Sequence, residues 1–325
     1  MKCLIVENQR VEVVPSEPVE AVEGYCRFAV KACGVCGSDI PRVFAGTSYF
    51  YPIVLGHEFA GVVADSKNPA LIGKRACVFP ILPCGECEFC KQEQWANCTH
   101  YEYYGSRRDG GMQSELLIKE SNLVFLPDNV SYEAGSMIEP TAVCLHAIKK
   151  ANLTGGERVL VYGAGTIGLL CGMWARAFGA VEVMFSDPDE RRMAMARELG
   201  FGAYDGELVD ATVEASGAEA AFNGAIENTK SFGHIVLVGH SGKDVTVKGG
   251  NFTKLLRKQL VVAGSWNSDF RRDVNDWEES VRAISEGIIS PEALITHRIE
   301  IERGDEAFRI IGERKEFYNK ITLVM

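Results

Sequence analysis

Apolar positions in the first third of the chain fall in short runs, at 27–32, 54–63 and 76–81. Each is cut by glycine or proline, the pattern of strands joined by tight turns. From about Ala142 the pattern changes. A short apolar strand at 159–162 is followed by a stretch of helical length and apolar spacing at 166–178. A second strand at 181–185 and a second helix at 189–199 come next. Apolar runs at 211–215, 234–238 and 260–263 complete a set of buried strands with helical stretches between some of them. Such alternation predicts a parallel sheet covered on both faces. After Trp266 the pattern gives a helix over 276–286 and a closing strand over 320–325. The expected fold is therefore α/β: a β-rich unit over 1–141, a doubly wound unit over 142–265, and a tail over 266–325. No internal repeat, low-complexity tract or flexible linker interrupts it.

The first element of chemistry lies in the doubly wound unit. Gly163-Ala164-Gly165-Thr166-Ile167-Gly168 follows a predicted strand and opens a predicted helix. The first glycine permits the tight turn, the second lets backbone approach a pyrophosphate, and the third allows close helix–strand packing. The helix start adds unpaired N–H groups and the positive end of its dipole. Asp187, at the end of the next strand, stands where a carboxylate would hydrogen-bond a ribose diol and repel a 2′-phosphate. That favours NAD, while Arg192 and its neighbour Arg191 leave room for the phosphorylated cofactor.

Two groups of metal-ligand residues occupy the β-rich unit. Cys84, Cys87, Cys90 and Cys98 have two, two and seven residues between them, which lets the chain turn back and close a tetrahedron of thiolates. Four protein ligands leave no open position, so this lobe, 84–98, is expected to hold a structural zinc. Free thiols and an iron–sulfur cluster are the competing readings. The second group is dispersed. Cys36, His57, Glu58 and Glu139 would offer a thiolate, an imidazole and one or two carboxylates, leaving zinc an open position for catalysis. Taken singly each is unremarkable, and their weight comes from occurring together with a dinucleotide loop.

Composition narrows the class. The 325 residues are 46% apolar and 24% charged, ordinary for a globular protein of two domains. No apolar run spans a bilayer and the start lacks a signal-peptide core, so no membrane association and a cytoplasmic location are expected. A formal net charge of −10 argues against nucleic acid as a partner. Eleven cysteines without a secretory signal point to metal rather than disulfides.

Taken in order, Cys36-Gly37-Ser38-Asp39, Gly56-His57-Glu58, the four-cysteine lobe, Asp109-Gly110-Gly111, Glu139-Pro140 and the glycine loop resemble the zinc-dependent medium-chain alcohol and polyol dehydrogenases, over essentially the whole chain. The resemblance implies a GroES-like β-barrel catalytic domain completed by the tail, a Rossmann domain, and an active site in the cleft between them. It also implies two zinc ions per chain, NAD, and a homodimer or homotetramer. Cys36 and His57 correspond to fixed zinc ligands, with Glu58 or Glu139 completing the sphere directly or through water. Within the family the likeness is greatest to polyol dehydrogenases acting on substrates of the galactitol 1-phosphate kind. Sorbitol-type members carry an arginine where Asn267 stands here, and Pro41 replaces a relay histidine of many alcohol dehydrogenases. Between Gly202 and Val209 the chain is shorter than the family pattern, implying loss of a helix and a strand.

The expected reaction is oxidation of a secondary alcohol of a polyol or polyol phosphate, with hydride passing to NAD. Ser38 is placed to take the hydroxyl proton and relay it outward, with a turn-capping serine as the competing reading. Asp39 is expected to orient the site. Arg42, Arg107, Arg108, Lys254 and Arg257 are candidates to meet a phosphate, each as easily an ordinary surface cation. Tyr49, Phe50, Tyr51, Trp266 and Asn267 are candidates to line the substrate pocket. The alternatives are a sorbitol-, xylitol- or threonine-type dehydrogenase, or a catalytically silent nucleotide-binding protein that would have lost one of the zinc ligands.

Overall fold

Tyr25–Gly34 is the central strand of the first sheet, and every second side chain along its first half, from Cys26 through Phe28 to Val30, is buried. The computed structural model describes residues 1–7 and 9–325. They divide into two compact units, Met1–Glu139 with Asp269–Met325, and Pro140–Ser268. In the first unit the sheet runs Leu123–Phe125, Arg75–Val78, Glu58–Asp65, Tyr25–Gly34, Lys320–Val324, Ile295–Glu300, with Glu115–Lys119 also paired to the central strand. The terminal strand therefore lies beside the central one, Thr322 opposite Gly34, while Gly34 faces Glu58 on the other side. Two apolar runs that read as single strands are each divided. Ile53–Val54 joins a separate sheet with Lys2–Glu7, and Glu58–Asp65 enters the large one. Gly56, at φ 96°, makes the corner between them and leaves His57 at the bend. The run at 76–81 likewise breaks at Phe79-Pro80 into Arg75–Val78 and Ile81–Leu82, because proline cannot donate to a ladder.

The second unit holds six parallel strands in the order Gly202–Ala203, Glu182–Ser186, Arg158–Tyr162, Val209–Glu214, Thr229–Leu237, Val261–Gly264. This corrects the expected loss of a strand. Only a helix is missing between Gly202–Ala203 and Val209–Glu214, and the strand itself survives as two residues. On the sheet face left without that helix, Leu160, Met184 and Val209 are still buried, packed with Tyr162 and Tyr204. Arg158 lies over Met184 Sδ at 3.6 Å and is held by Glu182 and Asp205. A tyrosine and an ion-paired arginine thus do the covering. The last strand is a second correction: Val261 and Val262 are 46% and 40% exposed, because Val261–Gly264 is the sheet edge and is not buried. No helix among the described residues is long and apolar enough to cross a membrane.

Candidate active site

His57 leaves the corner at Gly56 already fixed on one side. The segment 105–111 lies along it, with Gly110 N–H on Val54 O (2.8 Å), Gly111 N–H on Gly56 O (2.7 Å) and Met112 N–H on Leu55 O (3.0 Å). A Cβ at Gly110 would come within 2.1 Å of Gly56 O, so this close approach requires glycine. Cys36 is positioned by the turn after the central strand, its N–H donating to Asp39 Oδ2 (3.0 Å). The outcome is that a ligand atom from each of Cys36, His57 and Glu58 lies within 4.8 Å of the others. His57 Nδ1 is buried without a hydrogen-bond partner and stands 3.8 Å from Asp39 Oδ1. Thiolate, imidazole and carboxylate in one buried group, with a carboxylate behind the histidine, suit zinc.

Charges crowd this site. Burial opposes the imidazolium of His57, but the Cys36 sulfur, by charge and hydrogen bond, together with Asp39 and Glu139, outweighs it and lifts the pKa to about 10. Burial raises the Glu139 carboxyl to about 7, with Glu58 adding to that and His57 and Lys320 opposing. Burial likewise pushes Asp39 up, against the pull of His57 and Arg42. Glu58 is paired with Lys320, whose ammonium also donates to Val35 O (3.0 Å). Both side chains are almost wholly buried, and burial, which opposes the Lys320 charge, is more than offset by Glu58 together with Cys36 and Glu139. Glu139 is not in the tight ligand group and accepts from Tyr103 Oη at 3.3 Å. Tyr103 also sets its ring edge-on to His57, centroids 5.5 Å apart.

Ser38 is exposed beside the sulfur. Its hydroxyl donates to Cys36 Sγ (3.4 Å) and accepts from Arg42 Nη1 (3.1 Å), and it makes no capping bond to the helix Asp39–Phe44. The side chain is thus at the ligand group and outside the helix cap.

The four lobe cysteines also converge, all four sulfurs within 4.8 Å of one another. Cys84 and Cys90 sulfurs are 3.8 Å apart and those of Cys87 and Cys98 3.9 Å, too far for disulfides, and all eleven cysteines are free thiols. Backbone N–H groups of Thr99 and Cys90 hold the Cys87 thiol at about 6, so a thiolate forms readily there. Burial pushes Cys90 up to about 12, a cost that a bound cation would remove. Trp95 and Phe270 pack on Phe79 and fasten the lobe to the sheet.

In the second unit the loop 163–168 joins Arg158–Tyr162 to the helix Thr166–Ala177, with Ile167 in its first turn. A Cβ on Gly168 would fall 1.8 Å from Gly163 O, and Gly163 itself is at φ 94°. Asp187 accepts from Ala164 N (2.8 Å) with one oxygen and from Asp189 N (2.8 Å) with the other. Arg192 Nη1 lies over Gly165, 2.8 Å from where a side chain would begin, whereas Arg191 is paired with Asp189.

The substrate candidates scatter. Arg42 is engaged by Ser38 O and Asp39, and Arg108 by Glu102 while it lies over the Tyr104 ring. Lys254 pairs with Glu227 and Arg257 is exposed on Gly249–Lys258, both in the second unit. Tyr51 is structural, its Oη donating to Arg42 O. Phe50 is exposed. Tyr49 is 65% exposed and lies on Arg107. Trp266 is 63% exposed, and Asn267 is at φ 56° with its side chain turned back onto Ser268 N. Sequence reading missed Lys320 and Tyr103. Lys320 carries no local signal, since only strand pairing brings it to Glu58. Tyr103 lies in the aromatic stretch Tyr101-Glu102-Tyr103-Tyr104, which was a visible signal left unused.

Two families match the chain: the alcohol dehydrogenase GroES-like domain over residues 23–128, and the zinc-binding dehydrogenases over 166–286. Galactitol 1-phosphate 5-dehydrogenase of Escherichia coli strain K12 is 33% identical over 92% of each chain. Sorbitol dehydrogenase 1 of Saccharomyces cerevisiae is 31% identical over 94% of this chain and 92% of its own. D-arabitol-phosphate dehydrogenase of Enterococcus avium is 30% identical over 91% and 89%. The crystal structure of galactitol-1-phosphate dehydrogenase from Escherichia coli superposes over the full length of both chains with a TM-score of 0.92 at 31% identity. An alcohol dehydrogenase of Escherichia coli CFT073 complexed with NADH gives 0.91 at 25% identity, over 100% of this chain and 99% of that one.

Proposed function

Because this chain belongs to the zinc-dependent alcohol dehydrogenase family, as an NAD(P)-linked oxidoreductase of its polyol branch, we propose that it oxidises a secondary alcohol of a polyol phosphate resembling galactitol 1-phosphate. The products are the ketose phosphate, NADH and a proton. The observation that carries the reading is the convergence of Cys36, His57 and Glu58 within 4.8 Å, in a chain that also has the dinucleotide loop.

Cys36, His57 and Glu58 would hold the catalytic ion, and Glu139, outside that tight group, would serve it only indirectly. Cys84, Cys87, Cys90 and Cys98 would hold the structural one. When bound, zinc makes the substrate hydroxyl acidic and the nicotinamide accepts the hydride. Asp39 orients Cys36 through its backbone N–H and sets a negative charge 3.8 Å from His57 Nδ1. Tyr103 fixes the Glu139 carboxyl, and Lys320 balances Glu58 from behind. Ser38 Oγ, exposed and next to the sulfur, takes the hydroxyl proton and passes it to solvent. Asp187, at the end of the second sheet strand, favours NAD by repelling a 2′-phosphate.

Cofactor reduction with galactitol 1-phosphate, galactitol, sorbitol, xylitol and threonine tests this. The expected order puts the ester first and leaves threonine silent. Equal efficiency on free polyols would remove the phosphate from the proposal, and turnover of threonine alone would move the chain to another branch.

A further inference from the structure

Arg107 is held in a way that its neighbours are not. Its guanidinium lies between two rings, 4.5 Å from the centroid of Tyr49 and 4.3 Å from that of Tyr101. Nη2 donates to Tyr49 Oη (3.1 Å) and Nη1 to Tyr101 O (3.4 Å). Nε is buried and has no partner. A guanidinium carries five N–H donors: two are occupied, the Nε donor is buried, and one on each terminal nitrogen is spare. No carboxylate lies within ion-pair distance of it among the described residues, although the chain carries 44 acidic against 34 basic side chains. The other arginines of this region are neutralised, Arg42 by Asp39 and Arg108 by Glu102. A cation fixed by stacking, with spare donors and no counter-charge, is prepared for an anion supplied from outside.

Its position links it to the reacting centre. Tyr101 packs edge-on against Tyr103 with centroids 6.2 Å apart, and Tyr103 packs in the same way against His57. Arg107 therefore stands two rings from the zinc-ligand histidine, on one aromatic ladder within one unit. The segment that carries it is bonded to Val54, Leu55 and Gly56 directly ahead of His57, so its place relative to that histidine is rigid. A substrate with its alcohol at one end and an ester at the other calls for such an arrangement.

We infer that Arg107, clamped by Tyr49 and Tyr101, is the phosphate anchor of this site and sets the preference for a phosphorylated polyol over the free one. The inference rests on the polyol-phosphate reading above. It assigns Arg107 a role in specificity and none in bond breaking. Tyr49 and Tyr101 act through it, by holding its plane.

The experiment compares wild type with Arg107→Met and Arg107→Lys on galactitol 1-phosphate and on free galactitol, and follows the rise in Tm with inorganic phosphate. In Arg107→Met, KM for the ester should rise about tenfold to a hundredfold, the range for losing a hydrogen bond to a charged group. The kcat for the ester and kcat/KM for free galactitol should stay within about twofold, and phosphate should no longer raise Tm. Arg107→Lys should regain part of the ester affinity through its charge. Wild type that treats ester and free polyol alike would overturn the polyol-phosphate reading and this inference with it. Wild-type preference that survives in Arg107→Met would overturn this inference alone. So would equal losses on both substrates in both variants, which would mark Arg107 as purely structural.

Discussion

Lys320 and Glu58 show how much of the site is decided by single buried charges. Lys320 and Glu58 pair at 3% and 2% side-chain exposure, and in the metal-free protein removing one strands the other without water. Lys320→Met should therefore cost about 3–5 kcal/mol of stability, read from urea unfolding of the metal-free proteins, where no ion stands in for the lost ammonium. The double variant with Glu58→Gln should lose less than Lys320→Met alone. A loss below about 1 kcal/mol, the scale of a surface pair, would contradict the buried pairing. None of this was legible in the sequence. Cys36, His57 and Glu58 could be picked out because each sits in a short motif of its own. Lys320 sits in none, and nothing local in the closing strand says that its first residue faces Glu58 across the sheet. Arg107 was one of five candidate cations with nothing to set it apart, and Tyr103 was within reach in the same stretch between the cysteine lobe and Asp109-Gly110-Gly111, but ring stacking has no spacing rule to read.

Elements divide by whether their signal is local. The cysteine lobe and the glycine loop are written in spacings of a few residues, and in both the chain makes the turn that the spacing demands. The two-residue strand Gly202–Ala203 has no period at all, so it vanished from the sequence reading along with the absent helix. The exposed edge Val261–Gly264 misled in the opposite sense, since an apolar run does not tell a central strand from an outer one. The glycine loop also offers a sharp test. Alanine at Gly168 would place a methyl 1.8 Å from Gly163 O, against backbone that cannot step aside without opening the loop. Gly168→Ala should weaken NADH binding at least about tenfold by fluorescence titration, a cost in the ~1–3 kcal/mol range of overpacking. Its zinc content should remain that of wild type. Unchanged NADH affinity would mean that the loop does not carry the pyrophosphate.

At the scale of the whole molecule, the chain spends its length on two separate cores, and the closing segment 269–325 belongs with the first. Its last strand delivers Lys320 to Glu58, so the first unit depends on residues from both ends of the sequence. Alternation of strands and helices made the second unit readable as doubly wound, and punctuated short runs made the first readable as β-rich. The pairing that draws the tail back was suggested by family resemblance and by no pattern in the tail itself. A zinc site separate from the cysteine lobe would depend on Cys36, whose sulfur stands beside His57 and Glu58. Metal analysis of Cys36→Ser against wild type, with alcohol oxidation followed in the same samples, tests it most directly. The expected result is two zinc ions per chain falling to one, with the lobe still loaded and oxidation abolished. Two ions retained in a fully active variant would contradict it.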